Sequence, residues 1–275
     1  SATLPEAIET LSGATQREPT LIRVGPARSP ADIVQHVVHC ATNQRHNVVC
    51  SLLSLHQPDS ALIFCHTRQD CETLAETLYR RGASVLALHG GMEQRDRAEV
   101  LLQFSNGSKR FLVATDVAAR GLDIAELPMV IVAEIASDPE QHVHRVGRTG
   151  RAGAAGLAFS VVASDHEKRR LERVEAYIGT SIPVAETPQR PEQPTFVEAQ
   201  YRTLLILSGR QQKIRKGDVL GALVKDGGIP PESIGSIDLQ RSACSVAIDR
   251  AHAADAMRYL KTGRIKNGRV RARLL

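Results

Sequence analysis

The feature that most restricts the fold of this chain is an alternation. Across roughly the first 180 residues, short aliphatic runs take turns with longer stretches of helical periodicity. The strand-like runs lie at 21–24, 32–40, 61–65, 84–88, 110–114, 129–133 and 157–162, with helix-like stretches at 44–55, 69–81, 93–104, 139–146 and 166–178. Val, Ile and Leu fill most of the strand runs with few polar alternates, as in strands covered on both faces. Leu74, Leu78 and Tyr79 repeat at helical spacing in one intervening stretch, and Val100, Leu101 and Phe104 do so in another. Strands separated by helices pair in parallel, with the helices packed on both faces of the sheet. An α/β domain is therefore expected over 21–182. Ligands of such sheets bind beyond the carboxyl ends of the strands, so polar residues at those ends are the first candidates for chemistry.

Four prolines (Pro183, Pro188, Pro191, Pro194) among polar neighbours then predict a semi-rigid linker over 183–195. Residues 196–275 form a second unit. Strands are expected at 196–207, 236–240, 243–249 and 269–274. One helix should run from Gly217-Asp218 through Val224 and stop at Gly227-Gly228; another should occupy 251–260 and stop at Gly263. The order βαββαβ is the ferredoxin-like, RRM-type α+β arrangement. Charge divides unevenly. Residues 196–275 carry 15 Lys and Arg against 7 Asp and Glu, net +8, whereas the 195 residues before them are net −3. A small module with that excess is a candidate for polyanion binding, nucleic acid first.

Several classes are disfavoured. No apolar run approaches the roughly 20 residues of a membrane span, and without a visible signal peptide the cytoplasm is the expected compartment. The five cysteines are scattered and contain no CxxC pair, against a disulfide framework or a zinc ribbon. His36, His39 and Cys40 lie close together but lack a matching second pair, so no metal site is expected. A chain that starts at Ser1 rather than Met is expected to be part of a longer protein.

Four segments carry chemistry. In His144-Arg145-Val146-Gly147-Arg148-Thr149-Gly150-Arg151, three arginines and two glycines follow a helix-like run. Guanidinium groups are planar, permanently charged and bidentate toward phosphate oxygens; the glycines let the backbone turn without a Cβ clash. Arg145 is the one expected in a structural salt bridge, and His142 is expected at the surface. Leu62–Arg68 reads as a buried strand that releases His66, Thr67 and Arg68 at its end, with Thr67 able to cap the following helix. Leu88-His89-Gly90-Gly91-Met92-Glu93-Gln94-Arg95 leads into a helix whose N-terminal amides favour an anion, and Arg95 adds charge there or pairs with Asp96 or Glu99. In Val113–Ile124 an apolar strand ends at Thr115 before a small-residue loop, with Asp116 read as a helix cap.

Together these segments resemble motifs IV, V and VI of the DEAD-box RNA helicases, and Ser1-Ala2-Thr3 resembles motif III. The motif V and VI matches run along their full length (ATDVAARGLDI and HRVGRTGR). The resemblance implies a RecA-like second helicase domain, with residues 1–20 a remnant of the first. It implies Arg148 and Arg151 on the β- and γ-phosphates of ATP, and His144 on the motif III region, as the catalytic set. It implies Asp123 and Gly121 at the nucleotide, Asp123 accepting from the ribose hydroxyls. Thr67, Arg95 and Thr115 would lie on the RNA backbone, and Arg120, Ser1 and Thr3 at the interdomain contact. The chain lacks a G-x-x-x-x-G-K-[ST] loop and an Asp-Glu-Ala-Asp box. ATP and Mg²⁺ therefore belong to the complete enzyme, and this chain alone is expected to bind nucleotide weakly and not hydrolyse it.

Residues 196–275 resemble the C-terminal domain of DbpA-type helicases, on Lys216–Leu223 and Gly268–Leu275. That resemblance implies a bacterial enzyme of large-subunit assembly whose tail grips a ribosomal RNA hairpin and tethers the core nearby. Neither Thr203–Leu207 in the first strand nor Ala243–Ile248 in the third carries an aromatic where bases would stack. RNA contacts are therefore expected from Lys213, Arg215 and Lys216 in one loop and Arg264, Lys266, Arg269 and Arg271 near the end, largely to phosphate. The expected partners are ribosomal RNA and the first helicase lobe, with the protein a monomer and no membrane involved. The competing readings are a freestanding RNA-binding protein on a RecA-like fold and a DNA-directed motor; motif V and the tail argue against the latter.

Overall fold

The computed structural model describes Thr15 and residues 33–119, 127–150, 156–189, 193–266 and 268–275. The run expected at 21–24 lies outside them. The first domain is built from β1 (Ile33–His39), α1 (Arg45–His56), β2 (Ala61–Cys65), α2 (Arg68–Arg80), β3 (Val85–Leu88), α3 (Gln94–Ser105), β4 (Phe111–Thr115), the short α4 (Asp116–Ala119), β5 (Met129–Val132), α5 (Pro139–Val146), β6 (Gly156–Val162) and α6 (Asp165–Ile178). The six strands form one sheet in the order β1-β6-β5-β2-β4-β3, and every pairing is parallel. Side chains alternate across it. Ile63, Val113, Ile131 and Phe159 pack with α1 and α2 on one face; Leu62, Leu112, Val130 and Val132 pack with residues of α3 and α6 on the other.

Local signals fix the helix ends. Thr67 caps α2 by accepting from the Asp70 N–H at 3.1 Å, Asp138 caps α5 with Pro139 at its first position, and Ser164 caps α6. Gly179, at φ 74°, closes α6 in the left-handed conformation. A Cβ at Gly156 would lie 2.3 Å from the Gly150 amide nitrogen, so any side chain there forces the start of β6 away from the arginine-bearing turn.

Residues 183–187 of the segment expected as a linker run alongside β1. The Pro183 carbonyl accepts from Val37 N–H, Ala185 N–H donates back to Val37 carbonyl (both 2.8 Å), and the Thr187 hydroxyl bonds to His39 carbonyl. Pro183 disturbs nothing, because its missing N–H falls where the pairing needs only an acceptor. Further on, Thr195 exchanges hydrogen bonds with Ser54, and Phe196 packs edge-on against Phe111.

The tail contains β7 (Tyr201–Ile206), α7 (Lys216–Gly221) running into a π-helical turn (Ala222–Asp226), β8 (Ile234–Leu239), β9 (Cys244–Asp249), α8 (Ala253–Thr262), a small hairpin of β10 (Arg264–Ile265) with β11 (Gly268–Arg269), and β12 (Ala272–Leu274). Its antiparallel sheet has the order β12-β7-β9-β8, with Leu204, Ile206, Val246 and Ile248 packed on Leu223 and Leu260. The single strand expected at 269–274 is divided between β11 and β12.

His142 does not lie at the surface. It is 1 % exposed on the inner side of α5, with its Nε2 3.5 Å from the Ser160 hydroxyl and its Nδ1 without a partner. The helical repeat accounts for the error, since His142 lies on the same face as the buried Arg145 and Val146. Burial and the neighbouring Arg145 charge depress its pKa to about 4. The folded value lies below the unfolded one near 6.5, so between those pH values the unfolded chain takes up the proton and stability falls as pH drops. His46 and His56 are lowered by burial in the same direction. The urea midpoint should therefore fall from pH 7 to pH 5, and His142→Gln should reduce that fall.

Candidate functional site

The arginine-rich segment comes together around one buried side chain. Arg145 is 2 % exposed; its Nε and Nη2 reach the two carboxylate oxygens of Asp116 at 2.7 and 2.6 Å, and its Nη1 donates to the Glu134 carbonyl at 2.6 Å. Its guanidinium carbon lies 5.4 Å from the Phe64 ring centre. This confirms Arg145 as a structural ion pair and corrects the reading of Asp116. Its carboxylate is spent on Arg145 rather than on capping α4, because a bidentate guanidinium contact inside the domain outweighs a weak cap on a four-residue helix.

Arg145 thereby ties the last turn of α5 to the end of β5 and the start of α4. Beyond it an open cavity of about 390 Å³ is lined by Phe64, near the carboxyl end of β2, and by Asp116, Asp138, His144, Arg145 and Arg148, which follow the ends of β4 and β5. His144 is exposed and Arg148 half-buried at this cavity. The Arg148 carbonyl accepts from Leu127 N–H and its N–H donates to the Arg145 carbonyl, so the turn is held from both sides. Gly150 sits at φ 71°, where a side chain is strained; Gly147 sits at φ −65° and is not needed for the turn, although a Cβ there would approach Val143 carbonyl to 3.1 Å.

The other expected residues are distributed as follows. Thr67 is exposed and caps α2, also donating to Asp70. Arg95 is exposed at the start of α3 with its Nε 3.4 Å from Glu99, the local pairing weighed from the sequence. Thr115 is the last residue of β4 and 6 % exposed. Ser1, Thr3, Arg120, Gly121, Asp123 and Arg151 lie outside the described residues. Sequence reasoning missed Arg68, whose guanidinium lies over Gly90-Gly91; a Cβ on Gly91 would come within 2.9 Å of its Nη1.

In the tail, Lys213, Arg215, Lys216, Arg264, Lys266, Arg269 and Arg271 are all exposed. The fold joins the two basic runs: Lys266 Nζ donates to the Lys213 carbonyl at 3.1 Å and lies 3.7 Å from Asp218. Lys213 and Lys266 are both left-handed, at φ 56° and 60°. Such backbone costs of order 1 kcal/mol for a residue with a side chain and concentrates at functional sites.

Among the described residues, no group of three His, Cys, Asp or Glu stands together as a metal site, and no helix is long and apolar enough to cross a membrane.

A RecA-like sheet with an arginine-bearing turn beyond its strand ends, followed by an RRM-type module, is the domain pair that the family matches describe. The chain is similar over its whole length to the DbpA-type DEAD-box RNA helicases. Residues 44–153 match the helicase conserved C-terminal domain, and residues 203–274 match the DbpA RNA binding domain. The chain is 43% identical over its whole length to the ATP-dependent RNA helicase DbpA of Escherichia coli, and 33% identical over 97% of its length to that of Bacillus subtilis. It spans 60% of the length of each of these relatives. Among solved structures, a DEAD box protein from Methanococcus jannaschii matches with a TM-score of 0.55 at 34% identity, covering 67% of this chain and 50% of that one. Saccharomyces cerevisiae Dbp5 bound to RNA and ADP BeF3 matches with a TM-score of 0.62 at 28% identity, covering 68% and 50%.

Proposed function

We propose that this chain supplies the phosphate-reading half of an ATP-dependent RNA helicase. Arg148, together with Arg151, would meet the β- and γ-phosphates of an ATP held by the first helicase lobe, and His144 would contact that lobe directly. The observation that carries the reading is the placement of Arg148 and His144 at a cavity beyond the strand ends, set by the fully engaged Arg145. An arginine supplied across an interface neutralises charge spreading over the transferred phosphoryl oxygens. Mg²⁺ would arrive with the nucleotide on the other lobe, and no step here passes through it. Thr67, Arg95 and Thr115, with Asp123, Gly121 and Arg120, complete the RNA, nucleotide and interdomain contacts of this reading.

The tail would bind a hairpin of large-subunit ribosomal RNA through the Lys213–Lys266 platform, in the service of ribosome assembly. The exposure of seven cations on two joined loops supports this. Two measurements test the proposal. Affinity of the chain for a large-subunit ribosomal RNA hairpin should fall as a power of salt concentration, each phosphate contact adding about 0.7 to 0.9 to the slope; a flat response would contradict it. Purified on its own, the 275-residue chain should release no phosphate from ATP with or without RNA.

A further inference from the structure

The tail meets the helicase domain on α3 and on the turn that follows it. Asn106 Nδ2 donates to the Thr203 hydroxyl, and that hydroxyl donates to Ser108 Oγ, both at 2.8 Å. A Cβ on Gly107, at φ 74°, would lie 3.5 Å from the Tyr201 ring. On β12, Arg273 stands opposite Leu205 of β7. Directly opposed residues of antiparallel strands project to the same face. Leu205 alternates with Leu204 and Ile206, which fill the tail's core, so Arg273 points out of the tail toward the helicase domain. There its Nη2 bonds to Oε1 of Glu99, in the middle of α3.

The same oxygen has a second partner. Arg95, one helical turn earlier, holds its Nε 3.4 Å from Glu99 Oε1. Two guanidinium groups from two domains thus share one carboxylate oxygen, and among the described residues no other acid pairs with either of them. The sharing is unequal. The Arg273 contact is the shorter, whereas Arg95 sits at the outer limit of a hydrogen bond with its side chain 74 % exposed. The tail's arginine thereby changes the surroundings of Arg95. Without Arg273, Glu99 has only Arg95 to pair with, at the i,i+4 spacing that favours such pairs, and its negative charge repels any phosphate brought to Arg95. With Arg273 in place the carboxylate is neutralised from the tail, and the Arg95 guanidinium can turn to an anion.

We propose that Glu99 and Arg273 are positioning residues for RNA binding: Arg273, brought by the docked tail, neutralises Glu99 and releases Arg95 to the RNA backbone. The docked tail thus strengthens the helicase domain's hold on RNA in addition to binding RNA itself. The proposal rests on the RNA-binding reading above, and its test separates the two. Binding of a fluorescent 20-nucleotide oligouridylate to the full chain is measured by anisotropy near 0.1 M salt. Arg273→Ala should weaken binding about two- to three-fold, the size of one exposed ion pair. Glu99→Gln breaks the same contact from the other side, yet should leave binding as tight as in the unaltered chain or about two-fold tighter, because it removes the charge that Arg273 neutralises. In a Glu99→Gln chain, Arg273→Ala should have no further effect, and Arg95→Ala should abolish the response to Arg273→Ala. Circular dichroism melting establishes that each variant is folded. If both single substitutions weaken binding alike, the contact only docks the tail and the proposal is overturned. Equal weakening by Arg273→Ala with and without Glu99→Gln overturns it too, since Arg273 would then touch RNA directly. Failure of the unaltered chain to bind the oligonucleotide would instead overturn the RNA reading, and the proposal with it.

Discussion

Replacing Arg148 with alanine in the two-lobed enzyme is expected to lower RNA-stimulated ATP hydrolysis by about three orders of magnitude or more, while hairpin binding by the tail is unchanged. The size of the effect follows from where the charge acts. A guanidinium at a transferring phosphoryl group works in a site closed to water, where its field is poorly screened. The platform of Lys213 and Lys266 belongs to the other domain, and neither residue lines the cavity of His144 and Arg148. Parallel loss of hydrolysis and hairpin affinity would show that the two domains do not divide the labour in this way. Arg148→Lys should recover little, because an ammonium lacks the planar pair of donors that meets two phosphate oxygens.

The second large effect lies one helical turn earlier. Arg145→Ala removes three hydrogen bonds and leaves the Asp116 carboxylate and the Glu134 carbonyl without their partner. Deleting one member of a buried ion pair costs about 3–5 kcal/mol, because the remaining charge stays desolvated. In a domain of this size that corresponds to a drop in melting temperature of roughly 10 °C or more. Arg145→Lys should also be destabilising, since a single ammonium cannot reproduce the bidentate contact. A double change of Arg145→Met with Asp116→Leu should recover much of the stability but not the activity, since Arg148 would lose the anchor that sets its turn. Thermal melts alongside hydrolysis rates separate the two consequences.

Much of this was legible in the sequence, for identifiable reasons. The parallel sheet was readable because strands buried on both faces, such as Ala61–Cys65 and Met129–Val132, are almost wholly apolar. The helix starts were readable because Thr67, Asp138 and Ser164 are side-chain caps. The arginine turn stood out because its arginines and glycines are dense and local, and the ion pair expected of Arg145 is present. What remained hidden depends on contacts between distant residues. The partner of Arg145 is 29 positions away, and Asp116 taken alone has the local look of a cap. His142 is polar, and only the packing of α5 shows that it faces inward. The prolines of 183–194 announce an extended segment but not the sheet edge that receives it. The docking of Thr203 on Asn106 and Ser108 carries no local signal either, because its partners lie 97 and 95 positions away.

The most direct test of the central claim is a crystal structure of the two-lobed enzyme with RNA and a non-hydrolysable ATP analogue. The Arg148 guanidinium is expected within about 3 Å of a terminal phosphate oxygen of the nucleotide, with Arg145 still clamped on Asp116. Arg148 turned back into its own domain, with the nucleotide phosphates met by other groups, would contradict it.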